Sequence, residues 1–360
     1  MLKACVSEGV CLPSSRANLG AAARGRHAAM LRTGKSRCLQ SAARQTAIKV
    51  RAMQVGNVGV NVRNTSNQRP VAEPNKEAFK ISGRTVLVTG GSQGCGRATA
   101  LLFAKKGFNV VIAARNETKC MYAAEDCARA AGRQGAALAV PTDVTDELSV
   151  KRLANEILTR YGTLDVVVSN AGVCMNGPVA ETSLQDFKDM MASNFYGAVN
   201  LAHEFMPVLQ MTAQVKNLVK PSFVAVNSMG GVMPLKYMSA YCASKYALNG
   251  FCECLRMEAE ASGVHVGQVH PGVVNSNFME RAQFRGPRSG DERKQLQEIL
   301  RSPVAQSPEE VAQAVWDCAT GYRNEIIVGP VFATGVSLHR MTGINMTAVR
   351  SQAASSTRRN

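Results

Sequence analysis

The stretch "AYCASKYALNG", residues 240–250, sets Tyr241 and Lys245 four positions apart. On a helix that interval is just over one turn, so both side chains share a face, one above the other. An ammonium beside a phenol favours the ionised phenolate, which makes a group able to trade a proton near neutral pH. Alone the pair says little. At ordinary composition Tyr-x-x-x-Lys begins at about one position in a thousand, so a chain of this length holds one by chance about a third of the time. Its meaning depends on the elements that place it.

Those elements begin at Gly83. "RTVLVTG" (84–90) is a short β-branched run ending in glycine, followed by the helical "RATALLFAKKG" (97–107) and the apolar "NVVIAARN" (109–116). Further strand-like runs, "GAALAV", "LDVVVSN", "SFVAVNS", "HVGQVHPG" and "EIIVGP", alternate with helical stretches. Each run is continuously apolar, as in strands buried on both faces. Such alternation predicts βαβ units and an α/β fold of Rossmann type, a doubly wound parallel sheet in one domain over residues 81–342. No internal repeat is visible.

"TGGSQGCG" (Thr89 to Gly96) joins the first strand to the first helix. Gly90, Gly94 and Gly96 allow a tight turn and close backbone approach to a ligand, with Ser92 and Gln93 between them. The helix that follows offers its N-terminal N–H groups and positive dipole end to a pyrophosphate. In this place the loop predicts a dinucleotide site. At the end of the second strand an NAD site carries an acid for the ribose 2′-hydroxyl. Here Ala114 stands there and Arg115 follows. A guanidinium with no carboxylate favours a 2′-phosphate, and so NADP(H).

With these motifs in order, the chain resembles the short-chain dehydrogenase/reductase family over nearly all of residues 83–330. The family's T-G-x-x-x-G-x-G motif is Thr89 to Gly96, and its adenine-contacting Asp matches Asp143 in "PTDV". Its N-N-A-G motif appears as "SNAG" with Asn170, and its helix Asn as Asn194. Its catalytic Ser matches Ser228, thirteen residues before Tyr241, and its P-G-x-x-x-T loop is Pro271, Gly272 and onward to Ser276. Cys95, where the family has an aliphatic residue, is a departure that sets an oxidisable thiol beside the phosphates.

The resemblance implies hydride transfer between nicotinamide and a carbonyl, with Asn194, Ser228, Tyr241 and Lys245 as the catalytic set. Tyr241 exchanges the proton. Lys245 lowers the Tyr241 pKa and bonds the nicotinamide ribose, Ser228 bonds the substrate oxygen, and Asn194 holds a water in a relay behind Lys245. It also implies a homodimer or homotetramer through the helices carrying Asn194 and Tyr241. Cys174, Met175, Met229, Leu235, Met238 and residues 273–302 are expected to line the substrate pocket, the last as a mobile helical lid. The C-terminal "NEIIVGPVFATGVSLHRMTG" differs from the "VDGG"-like ending of plastid 3-oxoacyl-carrier-protein reductases. It favours a hydrophobic lipid-, pigment- or steroid-like substrate and leaves that reductase, and a non-catalytic NADP-binding scaffold or redox sensor, as alternatives. "FATGVSLHRMTG" (332–343) suits a short amphipathic element touching a membrane or partner.

The net charge of +16 belongs to the chain ends. Residues 1–70 hold twelve Lys/Arg against Glu8, and the tail 343–360 holds three arginines and no acid, which leaves +2 for residues 71–342. Nucleic acid is therefore not an expected partner. Residues 1–52, rich in Ala, Arg and Ser, read as a transit peptide, with chloroplast ahead of mitochondrion, and residues 53–80 as a linker. No run reaches the length of a membrane span. The eleven cysteines show no metal-ligand or framework spacing, so no metal is expected and the thiols read as reduced and mostly buried.

Overall fold

The computed structural model describes residues 83–216, 220–276 and 281–343. The expected transit peptide and linker, residues 344–360 of the tail and residues 277–280 of the lid stretch lie outside the described residues.

All seven apolar runs are strands. β1 (Thr85–Thr89) leads through α1 (Gly94–Lys105) to β2 (Asn109–Ala114), and α2 (Glu117–Ala131) leads on to β3 (Ala137–Pro141). Next come α3 (Glu147–Tyr161), β4 (Val166–Ser169), a short β5 (Met175–Asn176), α4 (Leu184–Met191) and α5 (Gly197–Lys216). The chain continues through β6 (Ser222–Val226), α6 (Ser239–Ala259), β7 (His265–His270), β8 (Gln283–Phe284) and α7 (Ser289–Arg301). It closes with α8 (Pro308–Thr320), β9 (Glu325–Ile327) and α9 (Pro330–Thr342). The main sheet runs β3-β2-β1-β4-β6-β7-β9, all parallel, while β5 and β8 form a separate parallel pair.

Successive side chains of a strand point to opposite faces, and here both faces are covered. Leu87, Val111 and Val167 pack under α3, α5 and α6 with Ile157, Leu201 and Phe205. Val86, Val110 and Ile112 pack under α1, α2 and α8 with Phe103, Cys127 and Val315. The continuous apolar runs follow from that double burial. Local chemistry sets the helix ends. Asn116 and Asp146 accept N-terminal N–H groups of α2 and α3. Ser183 with Asp186, and Ser307 with Glu310, form capping boxes.

The chain winds one way from β1 through β2 to β3 and the other way from β4 onward, so the order reverses between β1 and β4. At such a switch point the loops leaving the carboxyl ends of neighbouring strands diverge to opposite faces, and a crevice opens between them. Helix α1, whose N-terminus borders that crevice, is anchored by Phe103, fully buried with its ring 5.0 Å from both Phe108 and Trp316. Replacing it, Phe103→Ala, is expected to lower the unfolding free energy by about 3–5 kcal/mol in urea titrations.

Candidate active site

A cavity of about 1180 Å³ lies at the carboxyl ends of β1, β2, β4, β6 and β7. Its floor is the glycine loop. Gly90 and Gly94 have φ of +63° and +54°, in the left-handed region that suits glycine. A β-carbon at Gly96 would stand 2.5 Å from Asn170 Nδ2 and closer still to the Gly90 carbonyl oxygen. Asn170 ties the two strand ends together: its Nδ2 donates to the Thr89 carbonyl at 2.9 Å, and its main-chain N–H donates to Thr89 Oγ1 at 3.0 Å. Gln93 caps α1 without a side-chain bond to the first turn, and Gly94, Cys95 and Gly96 of that turn line the cavity. In the amide orientation that suits its neighbours, Gln93 accepts from the Arg281 guanidinium.

At one end of the cavity Ser92, Arg115, Asn116 and Lys119 converge. Among the described residues neither Arg115 nor Lys119 has an ion-pair or hydrogen-bond partner for its side chain. Lys119 was not singled out by sequence, although a lysine four residues after Arg115, in the first turn of the following helix, was a usable signal. Asp143 also lines this end, one carboxylate oxygen taking the Thr145 N–H and hydroxyl at 2.9 and 2.8 Å. Pro271 and Gly272 form the opposite wall, where Gly272 N–H donates to Gln306 Oε1 at 2.9 Å and a β-carbon would enter the Phe332 ring.

Ser228, Tyr241 and Lys245 meet in the middle. Ser228 ends the β6 segment and caps the turn Met229–Gly231 by accepting from the Gly230 N–H at 3.0 Å. Its hydroxyl also faces the Tyr241 phenol and favours its ionised form. Tyr241 and Lys245 are stacked on α6, 6% and 5% exposed. Burial dominates their acidity. It pushes the phenol above its ordinary range, Cys174 adds to the rise, and the Ser228 hydroxyl is the lowering influence. Burial likewise lowers the Lys245 ammonium to about 8. Its Nζ donates to the Val226 carbonyl at 3.1 Å. In this geometry burial outweighs the expected acidifying effect of Lys245 on the phenol, and the ammonium spends one of its three donors on the Val226 carbonyl.

Asn194 lies in a π-helical turn, Ala192–Tyr196, between α4 and α5. Such turns recur at functional sites. Its Nδ2 donates to the Val173 carbonyl and to Ser244 Oγ, both at 3.0 Å, and its Oδ1 accepts from the Val173 N–H at 2.8 Å. Both amide hydrogens are committed. A relay water would be held through an oxygen of Asn194, and the residue also has a positioning role, since Ser244 in turn donates to the Tyr241 carbonyl at 2.7 Å.

Two more expectations change. Met175 is core, packed with Met190 and Ala240, while Cys174, Met229, Leu235 and Met238 do line the cavity. Cys95 is half-buried, and burial pushes its thiol up to about 11, so the thiolate needed for oxidation is disfavoured. The lid stretch supplies α7, whose Glu292, Gln295, Leu296 and Ile299 border the cavity mouth. Among the described residues no group of His, Cys, Asp or Glu is placed to hold a metal ion, and no helix is long and apolar enough to cross a membrane.

The fit to a dinucleotide rests on space and charge: a cradle with no room for a β-carbon, a helix N-terminus and two uncommitted cations along one cavity. Comparison with known proteins agrees. A family profile described as "short chain dehydrogenase" matches residues 84–285. The "Probable oxidoreductase EphD" of Mycobacterium tuberculosis is 32% identical over 275 residues, 74% of this chain. The match spans only 44% of that protein's own length. The "Dehydrogenase/reductase SDR family member 7B" of Danio rerio is 28% identical over 239 residues, 65% of this chain and 74% of that one. Among solved structures, a short chain dehydrogenase/reductase from Burkholderia phymatum in complex with NAD superposes with a TM-score of 0.65 at 24% identity, covering 73% of this chain and 95% of its own. An alcohol dehydrogenase from Thermococcus sibiricus, complexed with 5-hydroxy-NADP, gives 0.57 at 22%, covering 69% and 97%. These two likenesses show the shared fold.

The cradle is testable by steric means. Gly96→Ala is expected to weaken nicotinamide dinucleotide binding at least about tenfold by fluorescence titration, with the circular dichroism of the folded chain retained.

Proposed function

The chain belongs to the short-chain dehydrogenase family; from that premise we propose that it is an oxidoreductase that moves a hydride between NADP(H) and a carbonyl or alcohol of a hydrophobic substrate. The observation that carries the reading is that Ser228 and Tyr241, both buried, line the same cavity as the glycine cradle. The nicotinamide, when bound, supplies or accepts the hydride. Tyr241 donates its phenolic proton to the substrate oxygen as negative charge grows there, and takes it back in the oxidative direction. Ser228 donates a hydrogen bond to the same oxygen. Carbonyl plus hydride plus that one proton gives the alcohol, and solvent returns the proton to Tyr241. Lys245 supplies positive charge beneath the pair and a donor for the ribose. Asn194, through Ser244, holds the backbone of Tyr241 in place.

Arg115 and Lys119 together support NADP over NAD, with Ser92 as a neutral donor beside them. A substrate wall of Cys174, Met229, Leu235 and Met238 supports an apolar carbonyl compound. Reduction is the direction we favour, and residues 1–52 are proposed to direct the chain to a plastid. Exposed Tyr196 between α4 and α5, and exposed Tyr246 and Met257 on α6, support assembly of like subunits through these helices. Exposed Val331 and Met341 on α9 support a peripheral apolar contact.

Tyr241→Phe keeps the ring and removes the proton. Turnover of NADPH with a panel of apolar ketones and aldehydes, from cyclohexanone to retinal, is expected to drop by about 10²–10⁴-fold; unchanged turnover would refute the assignment. Because Lys245 is lowered to about 8, it is charged below that pH and neutral above. The kcat/KM profile should therefore decline above about pH 8, an alkaline limb that Lys245→Met lacks. Removing both cations, Arg115→Ala with Lys119→Ala, should raise KM for NADPH by about 10- to 100-fold while KM for NADH stays within about twofold.

A further inference from the structure

Strand β7 ends in His270, whose side chain is fully buried and serves none of the roles above. Its Nδ1 lies 3.0 Å from the main-chain carbonyl oxygen of Ser228, and its Nε2 lies 3.3 Å from Glu325 Oε1 on β9. Glu325 in turn accepts from both arms of Arg340 on α9, at 2.9 and 2.6 Å. A line of polar contacts thus runs from the half-exposed C-terminal helix to the backbone of Ser228. Neither β9 nor α9 falls in the segment 84–285 that matches the family.

The chemistry of this line is asymmetric. Both atoms facing the imidazole, a carbonyl oxygen and a carboxylate oxygen, only accept, and a neutral imidazole carries a single N–H. The Ser228 contact has hydrogen-bond geometry. The Glu325 contact does not, and Nε2 is buried without a hydrogen-bond partner. That is the arrangement of a neutral ring whose proton sits on Nδ1. Unopposed, Glu325 would draw the proton to Nε2, but Arg340 occupies both of its oxygens and weakens it as an acceptor. Three charged groups face the ring: Glu325 from β9, Arg340 from α9 and Lys245 from α6. Burial foremost, with the two cations, holds the imidazole below its ordinary value, against the pull of the Ser228 carbonyl and Glu325.

We propose that His270 is a positioning residue for Ser228, holding its carbonyl through Nδ1–H, and that the Glu325–Arg340 pair makes this hold depend on helix α9 and on the proton occupancy of the ring. The proposal rests on the reading of Ser228 as the residue that bonds the substrate oxygen. Above the ring's pKa the neutral imidazole holds Ser228. Below it the second proton creates an Nε2–H beside a carboxylate, the stronger charge-assisted partner, and the ring is drawn toward Glu325 and off Ser228. Activity should therefore fall on the acid side, below the ordinary histidine range.

The test uses the whole chain with NADPH and the apolar carbonyl panel, alongside ¹⁵N NMR of the histidine rings. His270→Leu removes the donor, and kcat is expected to fall at least about tenfold with NADPH affinity within about twofold. His270→Asn keeps an N–H at the Nδ1 position but does not titrate; kcat near neutral pH should stay within about threefold of wild type and the acid limb should vanish. Arg340→Met, at a half-exposed site, should move the acid limb up toward neutral pH. By NMR, the wild-type ring at pH 7.5 should be the Nδ1–H tautomer. An Nε2–H tautomer would overturn the proposal, as would wild-type kcat in His270→Leu or an acid limb that persists in His270→Asn. Should the leucine variant fail to fold, the asparagine and Arg340 variants still decide the matter. If the wild type reduces no carbonyl, the functional reading fails, while the ring tautomer and its response to Arg340→Met judge the His270 contact separately.

Discussion

A β-carbon at Gly96 would collide with the Gly90 carbonyl and stand 2.5 Å from the Asn170 amide nitrogen, so the first turn of α1 reaches the ends of β1 and β4 only because that residue has no side chain. The rest of the site follows from that approach. It aims the N-terminus of α1 into the crevice at the switch point. It also lets one asparagine bond the end of β1 while its own backbone leaves the end of β4. Parallel strands whose carboxyl ends lie at this edge of the sheet deliver Arg115 after β2, Asp143 after β3, Ser228 after β6, and Pro271 and Gly272 after β7, while α6 brings Tyr241 and Lys245.

The middle of the site is governed by desolvation. Tyr241 and Lys245 are both buried, and burial disfavours the charged form of each, raising the phenol and lowering the ammonium. A phenol kept protonated is an acid held ready for a substrate oxygen. An ammonium that titrates near neutral pH is one whose charge responds to whatever fills the cavity. The Val226 carbonyl and the Ser228 hydroxyl offset part of the desolvation. Asn194 and Ser244, which bear no charge, fix the helix that carries the pair.

The C-terminal third gives the cavity its individual character. Helix α7 brings a mixed-charge face to the mouth, Gln306 accepts from Gly272 and donates to the Val328 carbonyl, and Phe332 fills the space beside Gly272. These contacts join α7, α8, β9 and α9 to the same wall that holds Ser228, so the segment beyond the family match belongs to the site.

Much of this was legible in one dimension. The seven strands were readable because burial on both sheet faces demands unbroken apolar runs. The glycine loop was readable because a close approach and left-handed turns leave few residue types possible. Order and spacing then brought Gly90, Arg115, Asp143, Asn170, Ser228, Tyr241 and Lys245 to one cavity. Tertiary structure alone decided the rest. Met175 reads like its neighbours Cys174 and Met229, and only packing makes it core. Asn194 finds Val173 twenty-one positions away and Ser244 fifty away; His270 reaches Ser228 across forty-two. Nor does a Tyr–Lys interval of one turn reveal that the ammonium bonds the Val226 carbonyl. Periodicity and turn chemistry are written locally along a chain, whereas burial, proton affinity and the choice among hydrogen-bond partners depend on groups that only folding brings together.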